Sequence, residues 1–427
     1  MMRDQTAFGI STQAWNPQHF SMNAHDRRIL RRLAGQVREW AERPLEAEKR
    51  KLWYRHNALG ETRPLIFCDP ENGWNEIVRE EQLESEGELA RHWENRLRKE
   101  IFWGGRMGDD RVTEAHFNVF YLYHESDWGM HERRIGGEGG GSYRWEAPLQ
   151  DYGDRSKLHF PRIEVDYQNT ETILNLAQET FQDLLSVRLK GAWYWSIGLT
   201  YTLVNLRGLE QSMLDIYDHP EELHELMAFI RDGYLAKLDF LESEGLLSLN
   251  NDGTYVGSGG FGYTHELPQG DFNDHVRTRD MWGFSESQET IQISPRMFAE
   301  FVFPYQLPIL ERFGLNCYGC CEPLDKRWEV VARSPRLRRV SVSPWANWAD
   351  MADQLGARYI YSLKPNPADL AGLTIDAAKI RADLRKALQL TRNCRVEVIM
   401  KDNHTIGNNP ANVIDWCRIA KEEADSL

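Results

Sequence analysis

The sequence predicts an α/β fold: a (β/α)8 barrel with an N-terminal helical extension and a long loop insertion. Three observations carry that prediction. Apolar strand-like runs alternate with helix-like segments at separations that suit βαβ units, and so a parallel sheet with helices outside it. At least eight runs qualify as strands, the number a closed barrel needs. No dinucleotide-binding glycine fingerprint accompanies them, which favours the barrel over an open doubly wound sheet. The 427 residues suit one such barrel with insertions. Residues 1–62 read as an arm and helical extension and residues 63–427 as the barrel, with no domain-scale linker and no repeat of fixed period.

The elements follow in order. Met1 to about Ala24 is polar and aperiodic, a loose arm. His25–Arg43 has a helical, highly charged pattern that Pro44 should stop. Arg63–Asp69 (RPLIFCD) is the first core strand, with Pro64 at its start and Asp69 and Pro70 ending it. Ile77–Glu100 is helical, with Leu, Trp and Ile on one face. Ala115–His124 (AHFNVFYLYH) is a strand that runs into Glu125 and Asp127. The long loop Ser126–His159 contains GGEGGGS, Gly136–Ser142. No helix follows these glycines, so they suit a flexible lid or insertion better than a phosphate loop. Glu171–Val187 is a helix and Leu189–Trp195 (LKGAWYW) a strand with aromatic tips. Thr202–Ile216 and Pro220–Gly245 form a helical pair, with Asp218 placed to cap the second. Leu246–Asp252 (LLSLNND) is a strand with a polar tip, followed by a second glycine-rich loop, Gly257–Gly262. Arg279–Ser287 holds a short apolar core, MWGF, ending in Ser285, Glu286 and Ser287. Ser294–Gly314 is a helix with Pro295 in its first turn. Then come the cysteine-rich strand of GLNCYGCCEPLD (Gly314–Asp325) and strands at Leu337–Ser343, Tyr359–Lys364 and Val396–Asp402. A last helix runs from about Pro410 to Glu423.

Composition narrows the function classes. A formal charge of −14 argues against a general nucleic-acid binder, which needs a basic surface. No run approaches the ~20 apolar residues of a membrane span, and no basic-then-apolar signal pattern opens the chain. The six cysteines do not have the spacing of a disulfide framework, so a cytoplasmic location is expected. Several of the 15 tryptophans adjoin polar strand ends, which suggests an aromatic-walled pocket.

In a barrel the strand ends converge, so residues distant in sequence become neighbours. The expected convergent set is Asp69, His124, Trp195, Asp252, Glu286, Cys320, Glu322, Ser343, Lys364, Asp402 and His404. Three thiols within five positions, Cys317, Cys320 and Cys321, followed by Glu322, are more than packing requires. Sulfur, carboxylate and imidazole suit zinc, so Cys320, Glu322, Asp402 and His404 are the candidate metal ligands. Asp252, His124 and Glu286 are the candidate catalytic acids and bases. Asp69, Trp195, Trp282, Tyr318 and Lys364 are the candidate substrate contacts, Lys364 for an anionic group and the tryptophans as platforms. No phosphate-loop lysine, GxSxG elbow or HExxH pair occurs. A paired-carboxylate glycosidase is compatible with the tryptophans.

The segment MWGFSESQETIQISPRMFAEFVFPYQLPILERFGLNCYGCCEPL resembles the uroporphyrinogen decarboxylase superfamily. There a strand bearing acids leads into a helix with the pattern seen here at Ile293, Ser294, Pro295, Phe298, Phe301 and Pro304. Leu206–Met227 is similar to the earlier helical pair of that superfamily. The resemblance spans about Arg63 to the C-terminus and implies a (β/α)8 barrel. True decarboxylases bind porphyrinogen carboxylates with a glutamine- and arginine-containing loop after the first strand. Here that place reads Phe67, Cys68, Asp69, Pro70, Glu71, Asn72, and its acids would repel a polyanion. The corrinoid-dependent methyltransferase branch is the nearer one. Its zinc is held by a His-x-Cys pair on one strand and a distant cysteine near the last. Tyr318-Gly319-Cys320 stands at the first place and Lys401–His404 at the second, where Asp402 or His404 would substitute. The resemblance implies metal-assisted methyl transfer with zinc, a small-molecule donor or acceptor, and a corrinoid carried by a separate protein. The alternatives are a metal-independent decarboxylase or lyase acting on a small carboxylated substrate through Asp252, His124 or Lys364, and a non-catalytic binding barrel. A homodimer fits each; nucleic acid and membrane fit none.

Overall fold

A computed structural model describes residues 19–131, 133–136 and 143–426. In chain order its strands are β1 (Leu65–Cys68), β2 (His116–Phe120), β3 (Tyr123–Glu125), β4 (Arg133–Gly136), β5 (Tyr143–Glu146) and β6 (Ile163–Val165). They continue as β7 (Ser186–Lys190), β8 (Trp282–Ser285), β9 (Leu315–Tyr318), β10 (Leu337–Val342), β11 (Ile360–Leu363) and β12 (Arg395–Met400). Six of them, in the order β1-β12-β11-β10-β9-β8, form one sheet, parallel throughout. β2 and β7 make a separate parallel pair, while β3 with β6 and β4 with β5 are antiparallel pairs.

The sequence explains why the large sheet is central. β1, β8, β9 and β11 are buried at every position, the near-continuous apolar composition that a parallel strand covered on both faces requires. The main core joins this sheet to the helices that follow its strands. A second core packs Phe117 and Val119 of β2 against Leu30, Leu33, Trp93 and Phe181, from the helices Ala24–Ala41, Glu88–Phe102 and Tyr167–Phe181. At ~25 cal/mol per Å² of apolar area, these two cores are the dominant favourable term in the fold. Two contacts lead from the six-stranded sheet toward the smaller pair. Asp110 N, on the chain leading into β2, donates to Ile66 O of β1 (2.7 Å). Ile197 N, beyond the aromatic stretch that follows β7, donates to Phe284 O of β8 (3.0 Å).

Several expected elements differ in the structure. The first helix ends at Ala41, ahead of Pro44 as expected, and Pro44 then begins a second, Pro44–Asn57, where its missing N–H costs nothing and its fixed φ suits the first turn. The helix expected over residues 294–314 is two, Pro295–Phe301 and Phe303–Leu310, because Pro304 cannot donate into a continuous ladder. Asp218 ends the helix Leu209–Asp218, and His219 is the N-cap of Pro220–Ser243, without a side-chain cap bond. The strand expected over 189–195 lies at Ser186–Lys190, and the aromatic residues follow it. The glycine-rich stretch Gly136–Ser142 lies, from residue 137 on, outside the described residues, as do the first 18 residues of the expected arm. Among the described residues no helix is long and apolar enough to cross a membrane.

Leu246–Asp252 is not a strand. Asn250 bonds both the N and the O of Trp282 through its side chain (2.9 and 3.0 Å), and Ser248 Oγ accepts from Gly191 N (2.9 Å). The second glycine-rich stretch then lies across the face of the six-stranded sheet, with Tyr255 bridged to Phe261. Its glycines are required by proximity. A Cβ on Gly257 (φ +69°) would sit 2.8 Å from Cys317 Cβ of β9, and one on Gly260 (φ +93°) 2.9 Å from the Arg339 guanidinium carbon of β10. Asn57, the last residue of the Pro44–Asn57 helix, holds this stretch by donating to Phe261 O and Tyr263 O (both 2.8 Å).

Candidate active site

The C-terminal ends of β9, β11 and β12 bring together Cys320, Lys364, Lys401 and Asp402. Each sits one or two residues past an apolar strand, where the chain leaves the core and polar groups become available. Gly319 (φ +92°) makes the turn that brings in Cys320. The Cys320 sulfur is buried, accepts from Ser258 Oγ of the glycine-rich stretch (3.3 Å) and lies 3.6 Å from the Cys321 sulfur. Cys321 Sγ in turn is 3.6 Å from Asp402 Oδ2, across the strand ends. Hydrogen bonding to Cys321 draws the Cys320 thiol below its ordinary range; burial opposes this and the Lys401 ammonium adds to it. The same contact, with burial, pushes the Cys321 thiol upward.

The two lysines behave oppositely. Burial acts to neutralise Lys401, but Cys320, Asp402 and Glu71 outweigh it and hold the ammonium charged; Nζ lies 2.8 Å from Asp402 Oδ1 and 3.3 Å from Glu71 Oε1. Lys364 is also buried, yet among the described residues its Nζ donates only to Ser362 Oγ (2.6 Å) and Ser362 O (3.3 Å). Burial, with Lys401 and Arg339 nearby and against the pull of Glu397 and Cys320, brings it down to about 8. Ser362 Oγ donates onward to Glu397 Oε1 (2.6 Å). Glu397 also accepts from Arg339 Nε (2.8 Å) and Nη2 (3.1 Å), and His56 Nε2 lies 3.3 Å from it. A buried polar chain therefore runs from the sheet interior to the Lys364 amine.

Glu322 and Glu286 occupy the adjoining loops. Glu322 Oε1 accepts from Ser287 N and Oε2 from Cys320 N (both 2.8 Å), so this fully buried carboxylate ties the loop after β8 to the loop after β9. Glu286 accepts from Ser196 Oγ (3.1 Å) and Gln288 N (3.0 Å). Burial, reinforced by Glu289 and Glu322, pushes its carboxyl well above the usual range. Beside these loops opens a cavity of about 420 Å³ lined by Ile291, Pro323, Lys326, Arg327 and Trp345 among others; Trp345 is 70 % exposed there.

Several expected site residues lie elsewhere. His124 is exposed on β3, paired with Glu164 of β6 and away from the sheet ends. Asp252 is held by Lys190 (3.0 Å), Arg188 (3.3 Å) and Thr254 N (2.9 Å); burial is outweighed by Lys190, and its carboxylate is kept below the usual range, a poor base. Tyr318 faces the helix side and donates to Gln306 Oε1 (2.7 Å). Trp282 is core, its indole bonded to Gly262 O (3.0 Å). Trp195 is half-buried against Phe284 in the small cluster that includes Cys320. Asp69 Oδ1 accepts from Trp74 Nε1 (2.9 Å) and Glu71 N (3.1 Å), which shapes the turn after β1.

The four expected zinc ligands are not gathered. Both Glu322 oxygens are engaged by backbone amides, and His404 is exposed, with Nδ1 3.4 Å from Asn72 Nδ2. Only Cys320, Cys321 and Asp402 remain linked, and among the described residues no group of three or more His, Cys, Asp or Glu side chains is placed to hold a metal ion. Sequence reasoning missed Lys401, Ser258 and Glu397. The lysine was legible as the polar residue ending VEVIMKD, as Lys364 ends YIYSLK, and Glu397 as a charge inside an apolar strand. Ser258 had no such signal. No family model matches the chain, and no curated protein matches it.

Proposed function

We propose that the chain closes into an eight-stranded (β/α)8 barrel and acts as a metal-independent lyase or decarboxylase on a small carboxylated molecule. Closure is supported by two contacts from chain flanking the β2–β7 pair, Asp110 ahead of β2 to β1 and Ile197 beyond β7 to β8. The observation that carries the chemistry is Lys364: a buried amine at a strand end, near enough to the buried Cys320 for the thiol to act on its charge. Lys401 supplies the lasting positive charge a carboxylate would meet. Glu286 is the carboxyl of the neighbourhood whose affinity for a proton burial raises most plainly. Of the three residues a metal-independent reaction was expected to use, Asp252 is locked in ion pairs and His124 lies apart, which leaves Lys364.

The test is release of CO₂ or of a cleavage product from a panel of small mono- and dicarboxylates, with and without a chelator. Turnover that survives the chelator and Cys320→Ser but is lost in Lys364→Met is expected. Turnover that disappears with the chelator, or survives Lys364→Met, would refute the assignment.

One observation favours a second activity, methyl transfer with a corrinoid carried by a partner protein. Cys320, biased toward thiolate, is linked through Cys321 to Asp402 on the last strand. Drawn together, these three would hold zinc, which supplies Lewis acidity to such a transfer. About one zinc per purified chain, lost in Cys320→Ser, would select this activity over the lyase.

A further inference from the structure

We infer that Lys364 is a covalent amine catalyst that forms an imine with a small 3-oxo acid. The inference rests on the lyase assignment above and names its substrate class.

Three lysines are buried among the described residues: Lys49, Lys364 and Lys401. Lys401 is paired with Asp402 and Glu71, and Lys49 lies 3.7 Å from Glu46. Lys364 alone of the three makes no ion pair; its nearest partner is the hydroxyl of Ser362. That hydroxyl directs its own proton to Glu397, so it presents a lone pair to Lys364 Nζ and fixes the amine in place. Glu397 is itself held by Arg339 and does not ion-pair with Lys364. A buried lysine with no carboxylate in direct contact is costly as a cation and is therefore suited to act as a neutral nucleophile. With the ammonium brought down to about 8, roughly a quarter of Lys364 is free amine at pH 7.5, against about one in a thousand for an ordinary lysine.

The chemistry balances without an added oxidant or reductant. The Nζ lone pair attacks the ketone carbon, a C–N bond forms, and the carbonyl oxygen leaves as water, giving a protonated imine. The C–C bond to the carboxylate breaks, its electron pair moves into the enamine, and CO₂ departs. The enamine carbon takes a proton from water, and a second water hydrolyses the imine to release the ketone and the free amine. The sum is 3-oxo acid plus one proton giving ketone plus CO₂. The Lys401 ammonium, next to Asp402 at the adjoining strand end, is the cation toward which the substrate carboxylate is drawn before cleavage.

The experiment uses the full chain, acetoacetate as probe and borohydride as trap at pH 7.5, read by peptide mass mapping and by CO₂ release. A reduced adduct is expected on the peptide carrying Lys364, formed at least tenfold faster than on any other lysine, and absent in Lys364→Arg. Labelling spread evenly over surface lysines, or none at Lys364, overturns the imine. CO₂ release from any carboxylate of the panel without a trapped Lys364 leaves the lyase standing and overturns the imine. A trapped Lys364 in protein that releases no CO₂ shows the imine forming but overturns Lys364 as the catalyst and removes the lyase. Because the trap is read on the native protein, a variant that fails to fold does not decide the outcome.

Discussion

Glu397→Gln should be the most damaging single change to the candidate site that leaves its outline intact. The carboxylate is fully buried and meets Arg339 twice, Ser362 once and His56 at 3.3 Å. Arg339 and Lys364 hold it far below the ordinary carboxylate range despite burial, so it is charged at every working pH. Glutamine matches its shape but removes the charge and turns one acceptor into a donor facing donors. The buried Arg339 cation then loses its counter-charge and keeps neutral acceptors alone: one glutamine oxygen, Asn57 Oδ1 (2.8 Å), Phe261 O (3.4 Å) and the Cys317 sulfur (3.8 Å). Breaking a buried pair from one side costs about 3–5 kcal/mol. Denaturant unfolding should show that loss. Arg339→Met combined with Glu397→Leu should recover at least half of it, because no charge is left stranded. A single-variant loss below about 1 kcal/mol, or a double variant worse than the single, would refute the reasoning. The same change removes the main group that favours the Lys364 ammonium, so the amine should titrate below about 8. Nuclear magnetic resonance of reductively ¹³C-methylated protein reads that shift directly, and an unchanged or raised midpoint would refute the coupling.

Two further outcomes follow from the same interior. Gly260→Ala must adopt φ +93° and place its Cβ 2.9 Å from the Arg339 guanidinium, so a loss of about 2 kcal/mol or more is expected. Gly270→Ala, with open space around it, should stay within about 0.5 kcal/mol, and equal effects at the two sites would dismiss the buried placement of the stretch. His56 is held below its ordinary value near 6.5, chiefly by burial, so below that pH the unfolded chain takes up its proton more readily than the folded chain. Stability is then lost as pH falls from about 6.5, by up to ~1.4 kcal/mol per unit. His56→Gln should flatten that slope in unfolding measured from pH 8 to pH 5.

Which parts of the fold were legible follows from how each residue is constrained. β1, β8, β9 and β11 were readable because a parallel strand buried on both faces is largely apolar along its length. LLSLNND was misread for the same reason in reverse. Its apolar start packs like a strand, but Ser248 and Asn250 bond neighbouring chain through their side chains, and no ladder forms. The glycines from Gly257 to Gly260 looked like a loop because nothing local distinguishes a mobile glycine from one pressed against Arg339 and Cys317. The constraint comes from β9 and β10, up to about 80 residues away in sequence.

The site divides along the same line. A polar residue that ends an apolar strand is visible locally, and Cys320, Lys364 and Asp402 were found that way. What separates Lys364 from Lys401 is not visible locally, since both close a buried strand and both precede a turn. Lys401 has Asp402 beside it and Glu71 from the loop after β1, whereas the carboxylate nearest Lys364 is already committed to Arg339. One lysine is thereby fixed as a cation and the other poised as an amine, by partners contributed from β1, β10 and β12. Glu322 shows the converse. Its type and its place after three thiols suggested a ligand, but two backbone amides, one from its own loop and one from the loop after β8, take both oxygens. A side chain's chemistry is set by which of its atoms remain unengaged, and that depends on strand ends distant in sequence.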